Sequence, residues 1–207
     1  MIQEDKLLLR NESLRTIQNR RSIRMYTDQP VLDEDIQTIL HAANLAPSAH
    51  NQQSWKFTVL RGEKKTELGA LVSNKAQEFG KPSTALLRMA SRSMSSAPVV
   101  IAISNTGELI KHGTELFSVN KELAFDFFRT MEIQSSAAAV ENLLLAATSL
   151  GLSTVWLGIL YLIKKEVLEF LGEPLGEFMA VIPVGYAVKD SAGPQKRSLD
   201  VTVKYLD

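Results

Sequence analysis

The positions of apolar residues along the chain divide it into alternating helical and strand-like segments. Residues 33–46 repeat apolar side chains at helical spacing, with Asp33 as a candidate N-cap and Pro47 as the stop. Short apolar runs rich in β-branched residues, such as 99–104, are typical of buried strands. By these criteria we predict helices over 9–19, 33–46, 83–95, 131–150 and 164–171, another from the turn at 61–63 to residue 79, and strands over 55–60, 99–104, 178–184 and 201–205.

This order of elements predicts an α+β fold in which a mixed central sheet is flanked by helices. The sequence contains no internal repeat, low-complexity tract or long flexible linker. We therefore interpret residues 1–207 as a single domain, a length that can bury one core.

One segment of the sequence is a candidate membrane span. Residues 143–163 carry no charge, are long enough to span a bilayer and are followed by Lys164 and Lys165. Polar residues interrupt the stretch, and Gly151 stands where a helix would end in a left-handed C-cap. We therefore predict a buried helix, a loop and a short strand here, and no membrane partner.

Composition and charge narrow the function classes. The 23 basic and 23 acidic residues give no net charge, which disfavours nucleic acid and anionic membranes as partners. The absence of cysteine excludes disulfides, thiolate nucleophiles, iron–sulfur clusters and zinc–thiolate sites, so redox chemistry would need a bound cofactor. The first ten residues lack the basic-then-apolar order of a secretory signal, and we expect a cytoplasmic protein.

The first candidate site is the cluster Arg20-Arg21-Ser22-Ile23-Arg24. Guanidinium groups make bidentate, charge-assisted bonds to phosphate, and alternation along an extended chain would send Arg20, Ser22 and Arg24 to one side. The cluster therefore suits an anionic ligand. A solvated basic turn explains the same residues equally well.

The second candidate site is the loop at 47–55, where small and amide side chains crowd between a helix and a strand. Asn and Gln amides match the edge of a heterocycle or a polyol, although local turns use the same residues. His50 and Ser48 do not form a convincing triad, because no carboxylate is placed to orient the imidazole and His41 and His112 add neither triad nor metal cluster.

Two further elements carry weaker signals. Residues 151–158 form a glycine-bounded apolar loop in which Trp156 or Leu157 would provide a wall for a flat ligand and Gly158 would permit close backbone approach, although core packing also explains Trp156. The pair Lys196 and Arg197 is a basic spot in a polar tail.

Taken together and in this order, the four elements resemble the nitroreductase superfamily of FMN-dependent oxidoreductases. Arg20 to Arg24 with Tyr26 is similar to that family's opening motif, and residues 46–55 are similar to its second. The segments 141–152, 156–158 and 182–186 resemble its central helix, flavin loop and last core strand. Ser54 departs from the pattern, because the family usually has proline there.

The resemblance implies an FMN-binding fold, an interlocked homodimer with FMN at its interface, and a site for each part of the cofactor. Arg20 would bind the phosphate, Ser22 the pyrimidine edge, and Arg24, as the catalytic residue, the N1 and O2 side of the ring. The loop at 47–51 would reach the flavin of the opposite subunit. The expected cofactor-binding residues are Arg20, Arg21, Ser22, Arg24, Pro47, Ser48, Ala49, His50, Asn51, Gln53, Trp156, Leu157, Gly158, Lys196 and Arg197; no metal is expected.

The implied reaction is hydride transfer from NADH or NADPH to the flavin and then, by ping-pong kinetics, to an oxidised acceptor such as a nitroaromatic or a quinone. Three alternatives stay open from the sequence. They are a specialised reaction of the superfamily (flavin fragmentation, dehalogenation or azoline oxidation), a flavin-binding module without turnover, and a phosphate-ligand protein unrelated to flavin.

Overall fold

The computed structural model describes residues 9–117, 120–189 and 191–206. The first eight residues, on which the expectation of no secretory signal largely rests, lie outside them. The sheet contains β1 (Trp55–Leu60), β2 (Val99–Asn105), β3 (Ser153–Thr154) and β4 (Glu177–Gly185). The helices are α1 (Glu12–Asn19), α2 (Asp33–Asn44), α3 (Gly62–Lys75), α4 (Ser83–Ser96), α5 (Glu108–Leu116), α6 (Lys121–Ser149), α7 (Lys164–Phe170) and α8 (Leu199–Thr202), with single 3-10 turns at Ala49–Asn51, Ala76–Glu78 and Gly158–Ile163.

The sheet has the strand order β1-β2-β4-β3, and each neighbouring pair of strands is antiparallel. Within the described residues, its parallel component is limited to an isolated bridge between Ser22 and Thr154. The predicted α+β class with helices flanking a central sheet is confirmed. The sheet itself is antiparallel, and the one parallel pairing among the described residues is an isolated bridge outside its strands.

Both faces of the sheet are covered, as the wholly buried strand β2 requires. Alternation along β2 sends Val99, Ile101 and Ile103 to a core shared with α2 and α6. Val100 and Ala102 face the opposite core, which α3, α4 and α7 complete. The protein is therefore three-layered, with helices on each side of one sheet.

The central helix α6 is longer than the sequence predicted. It begins at Lys121, ten residues before the predicted start, where the Asn120 side chain accepts hydrogen bonds from the N–H groups of Glu122 and Leu123. Its 29 residues extend over about 43 Å. The helix α5 was not predicted at all. It packs on α6 where Gly113 leaves room for the buried ring of Phe128.

Most other predicted elements agree with the structure to within a few residues, and β1 agrees at both ends. Asp33 is the first residue of α2 and not its cap, because Leu32 occupies the N-cap position. Gly151 does adopt the left-handed conformation, with a φ of 75°. In the described part of the chain, no helix is long and apolar enough to cross a membrane.

The strand predicted over 201–205 is wrong. The segment forms the short helix α8 and then an extended, exposed tail. A strand needs a neighbour with which to exchange backbone hydrogen bonds, and none of the described strands lies beside this segment.

Candidate functional site

The segment 20–24 is fixed against the edge of the sheet. The N–H of Ile23 donates to the carbonyl oxygen of Thr154 at 2.9 Å, next to the Ser22–Thr154 bridge. Ile23 is buried whereas Ser22 and Arg24 are exposed, as the predicted alternation requires. The arginine segment therefore runs directly beside the strand that leads into residues 155–158.

Tyr26 holds the same segment against the end of β4. Its hydroxyl donates to the carbonyl oxygen of Ile23 and lies 3.3 Å from that of Pro183, at the end of β4. Burial raises the pKa of Tyr26, so the phenol stays neutral and keeps its proton for these bonds. A Cβ at Gly185 would lie 2.6 Å from Pro98 Cδ and 3.2 Å from the Tyr26 ring, which explains a small residue there.

The three guanidinium groups differ in what they bind. Arg21 donates from Nε to the carbonyl oxygen of Ala192 at 2.8 Å, and from Nη1 to the carbonyl oxygens of Gln18 and Arg20. Gly193 lets the tail approach this side chain, since a Cβ there would lie 2.9 Å from Arg21 Cδ. Three of its five donors are thus occupied, and Arg21 fastens the C-terminal tail to the segment.

Arg20 and Arg24 keep most of their donors for a ligand. Arg20 has a loose ion pair, 3.7 Å from Nε to Oε1 of the half-exposed Glu141 on α6. Arg24 is exposed and makes one long bond, 3.4 Å, to the carbonyl oxygen of Ser22. Fixed positive charge with unsaturated donors is what a phosphate or an anionic ring edge requires.

A pocket of about 410 Å³ lies on the Arg21 and Ile23 side of this segment, with Ser153, Thr148 and Leu152 among its walls. Arg21 is the charged side chain that lines it. Neither Arg20 nor Arg24 is among its lining residues.

The three residues predicted to cover a flat ligand lie in the loop after β3 and differ in how exposed they are. Leu157 is buried in the core under α7, and its N–H donates to the carbonyl oxygen of Val181. Its side chain therefore cannot form the predicted wall. Trp156 is 36% exposed, and its side chain is available for that role.

Gly158 begins the 3-10 turn Gly158–Ile163, so its N–H has no carbonyl partner within that turn. A Cβ at this position would meet only the Trp156 ring, at 3.8 Å, which is ordinary contact. The chain itself does not require glycine here. Close approach of a ligand to the backbone would require it.

The loop at 47–53 is strained and held by its own hydrogen bonds. His50, Asn51 and Gln53 all have φ near 50°, a conformation that costs about 1 kcal/mol or more for a residue other than glycine. The N–H of Gln53 donates to Ser48 Oγ at 3.0 Å, and its amide donates to Asn51. Backbone strain of this kind is concentrated at ligand-binding loops, so it favours the prediction that this loop binds a ligand.

Ser135 on α6 is a residue of this site that the sequence reasoning missed. Its Oγ accepts the N–H of Ala49 at 3.1 Å and so joins the strained loop to the central helix. A polar residue in the buried stripe of a long helix was the available signal, but Glu132 and Ser136 share that feature.

A single chain brings together only part of the predicted site. Among the described residues, no hydrogen bond or ion pair joins 47–53 to 20–24 or 156–158. The two segments contact α6 at Ser135 and Glu141, which are about 9 Å apart along the helix and about 120° apart around it. Lys196 and Arg197 are exposed in the tail, and no ion pair of theirs occurs in the described part of the chain.

Comparison with known proteins adds independent evidence. The nitroreductase family model matches residues 17–186. A relative from Archaeoglobus fulgidus, provisionally named an NADH dehydrogenase/NAD(P)H nitroreductase, is 33% identical over 180 residues, which are 84% of this chain and 85% of that protein. An NADPH-flavin oxidoreductase from Vibrio harveyi is 30% identical over 167 residues, 79% of this chain and 60% of that protein.

Solved structures share the fold over nearly the whole chain. A provisionally named nitroreductase from Desulfovibrio desulfuricans, solved in complex with FMN, is 28% identical with a TM-score of 0.73, covering 95% of this chain and 98% of that chain. A BluB-like flavoprotein from Clostridium difficile is 26% identical with a TM-score of 0.73, covering 95% and 100%. The motifs, the family match over most of the chain and the shared fold lead to one conclusion: this chain belongs to the nitroreductase family.

Proposed function

We propose that this chain is an FMN-dependent oxidoreductase, active as a homodimer, that takes hydride from NADH or NADPH and reduces an acceptor such as a nitroaromatic or a quinone. The observation that carries the proposal is the junction at which Ile23 N–H donates to the Thr154 carbonyl oxygen. Through it, two arginines with unused donors lie beside a loop that offers an exposed indole and a glycine N–H. Family membership and the FMN complex of the D. desulfuricans neighbour support the same cofactor.

The cationic residues suit the phosphate of FMN. Among the described residues, the Arg20 side chain has one polar contact, the 3.7 Å pair with Glu141, so its remaining N–H groups can turn to phosphate oxygens. Lys196 and Arg197 are in the tail that Arg21 anchors, and they would add two further cations. Arg21 would act mainly by holding that tail in place.

The residues beside β3 suit the ring of FMN. Trp156 presents an apolar face, and Gly158 presents a backbone N–H to a ring acceptor. When bound, FMN would supply the hydride-accepting and hydride-donating group that the chain itself lacks. Arg24 would hold a permanent positive charge against the N1 and O2 side and so stabilise negative charge on the reduced ring.

A second copy of the chain would complete the site. The strained loop at 47–53 is anchored on a different side of α6 from Arg20, so it is suited to serve the partner's flavin. Leu45, beside this loop, is 83% exposed, and Leu206 at the end of the tail is 82% exposed. Large apolar side chains left in solvent by one chain favour burial against another. Light scattering during size-exclusion chromatography would test this, and a monomer that retains FMN would contradict it.

Specialised flavin chemistry is the second candidate, because the BluB-like flavoprotein covers this chain as fully as the nitroreductase neighbour does. The two candidates differ in turnover. Rapid NAD(P)H oxidation in the presence of nitro compounds or quinones supports the reductase, whereas its absence despite bound FMN supports the specialised reaction. Since NADH and NADPH are the proposed donors, we expect the protein to act in the cytoplasm.

The visible absorption spectrum of the purified protein tests the proposal most directly, followed by identification of any flavin released by heat. Flavin bands from released FMN, bleached by NADH or NADPH without oxygen, are the expected result. A colourless protein that takes up no added FMN would overturn the proposal and leave the arginines as an unassigned anion site.

A further inference from the structure

A second pocket, of about 450 Å³, lies at the other end of the sheet. It is bounded by α5, the start of α6, α7 and the first residues of β4. Glu177, in its wall, and Gly185, beside β3, are separated along β4 by about 26 Å. None of the residues proposed to bind FMN lines this pocket. Its volume falls within the range of small-molecule sites.

Cationic side chains outnumber carboxyl groups in the lining of this pocket. Its lining contains Lys111, Arg129 and Lys164 as cations, and Arg129 forms an ion pair with Glu177 in the same wall. Lys164 donates to the Tyr161 hydroxyl at 2.9 Å, and no ion pair of Lys111 or Lys164 occurs within the described residues. Two ammonium groups are therefore left to attract a small anion.

The wall also contains a buried carboxyl group with an unused oxygen. Glu132 is 1% exposed, and its Oε1 accepts the N–H of Leu109 at 2.8 Å. Its Oε2 has no hydrogen-bond partner in the described part of the chain. Burial raises the pKa of Glu132, opposed by the Leu109 N–H and the nearby Ser54 hydroxyl. A buried, unpaired carboxyl oxygen is unfavourable unless a ligand or solvent donor reaches it.

Apart from the charged side chains, the lining is apolar. Phe125, Ile110, Leu168, Leu175 and Phe178 contribute its large apolar side chains. An aromatic ring would be surrounded by apolar side chains here and lose contact with water, which favours binding.

We propose that this pocket binds a small aromatic acid whose carboxylate lies between Lys111 and Lys164, whose ring packs on Phe125 and Leu168, and whose far end donates a hydrogen bond to Glu132. None of its lining residues is proposed to bind the flavin, although Ile110 in its wall packs in the same apolar cluster as Ala49, on the loop proposed to reach the partner's flavin. Binding of a ligand here does not depend on the proposed reaction. Its ligands are distinguished by three chemical features, which are the negative charge, the ring and the donor.

Isothermal titration calorimetry on the purified holoprotein, without NAD(P)H, tests the three features with three compounds. 4-Aminobenzoate carries all of them, benzoate lacks the donor, and aniline lacks the charge. We expect 4-aminobenzoate to bind at least about fivefold more tightly than either of the others, the value of one modest ion pair or hydrogen bond. No heat of binding for 4-aminobenzoate, or equal binding of all three, would overturn the proposal.

Substitutions then locate the site. Lys111→Ala combined with Lys164→Ala should weaken 4-aminobenzoate about tenfold, because two exposed ion pairs are lost. Lys121→Ala, which removes an equally exposed lysine outside the pocket, should leave affinity unchanged. If the control weakens binding as much as the double substitution, the lysines act only through net charge and the proposal is wrong.

Glu132→Gln tests the donor contact, since glutamine can still accept from Leu109 but presents an NH₂ group where Oε2 stands. The preference for 4-aminobenzoate over benzoate should disappear while benzoate affinity stays the same. Arg24→Ala should not change either affinity. If Arg24→Ala abolishes binding of the acids while the double variant Lys111→Ala/Lys164→Ala still binds them, the acids bind at the flavin site and the proposal is wrong. The flavin spectrum is unaffected by either outcome, so this proposal and the proposed function can fail separately.

Discussion

The N–H of Ile23 and the carbonyl oxygen of Thr154 are 2.9 Å apart, although 131 positions separate the two residues in the sequence. This contact joins the segment after α1 to the short strand after α6. It works because Ile23 is buried while its neighbours Ser22 and Arg24 are exposed, so one side of the segment attaches to the protein and the other carries the charge. The proposed flavin site is built on that junction, and its two arginines can be tested separately.

Arg20→Ala and Arg24→Ala should have different effects. Arg20→Ala should mainly weaken FMN binding, by about tenfold or more, because a charge-assisted contact to phosphate is lost. Arg24→Ala should mainly slow flavin reduction by NAD(P)H, with a smaller change in FMN affinity. Fluorescence titration with FMN and anaerobic stopped-flow reduction measure the two quantities. Arg15→Ala, in an exposed ion pair on α1, is the control. Equal effects of the first two variants on both quantities would contradict the division of roles.

Ser135→Ala should loosen the strained loop at 47–53. The substitution leaves the N–H of Ala49 without its partner, a loss of about 1 kcal/mol or more, close to the strain of one left-handed residue. We expect FMN affinity to fall several-fold with little change in the thermal midpoint. Ser135→Thr keeps the hydroxyl and should behave like the wild type. If threonine and alanine weaken FMN equally, the hydrogen bond is not what holds the loop.

Gly113→Ala should destabilise the contact between α5 and α6. The new Cβ would lie 2.4 Å from the ring carbons of Phe128, which is itself buried. Overpacking of this kind costs about 1–3 kcal/mol, more than alanine gains over glycine in helix propensity. Urea unfolding would measure the loss. Gly80→Ala, where nothing lies within 4 Å of the new Cβ, is the matched control and should be neutral.

The raised pKa of Glu132 makes the stability of the protein depend on pH in a defined direction. Burial is the main cause of the shift from the ordinary value of 4.5, and the negative charge of Glu177 adds to it. In the window above 4.5 the folded state binds more protons than the unfolded state, so the free energy of unfolding falls as pH rises through the folded pKa. Relative to Glu132→Gln, which cannot titrate, the wild type should lose stability over this window.

Thermal or urea unfolding of both proteins at a series of pH values from 4 upward measures this difference. A wild-type protein that gains stability relative to Glu132→Gln as pH rises would contradict the shift.

The sequence predicted the three long strands of the sheet well, because each is a short apolar run with a local signal. The strand β1 agrees at both ends, since an apolar, β-branched run bounded by a turn fixes its length. The start of α6 was missed because residues 121–130 show no clean apolar stripe, and helical structure there depends on the Asn120 cap and on packing of Phe128 against α5. The tail at 201–205 has strand-like residues but no neighbouring strand, so propensity alone was misleading.

For the site, the sequence by itself determined the chemistry, which is an arginine-rich extended segment, an amide-rich loop and a glycine-bounded apolar loop, together with the family that these motifs resemble. Only the tertiary structure decided which groups are available. It showed that Arg21 is occupied by the carbonyl oxygens of Ala192, Gln18 and Arg20. It also showed that the Leu157 side chain packs in the core and that Ser135 holds the strained loop. The reason is physical: residue types fix charge and hydrogen-bonding capacity, but free donors and side-chain directions follow from contacts between segments far apart in the chain.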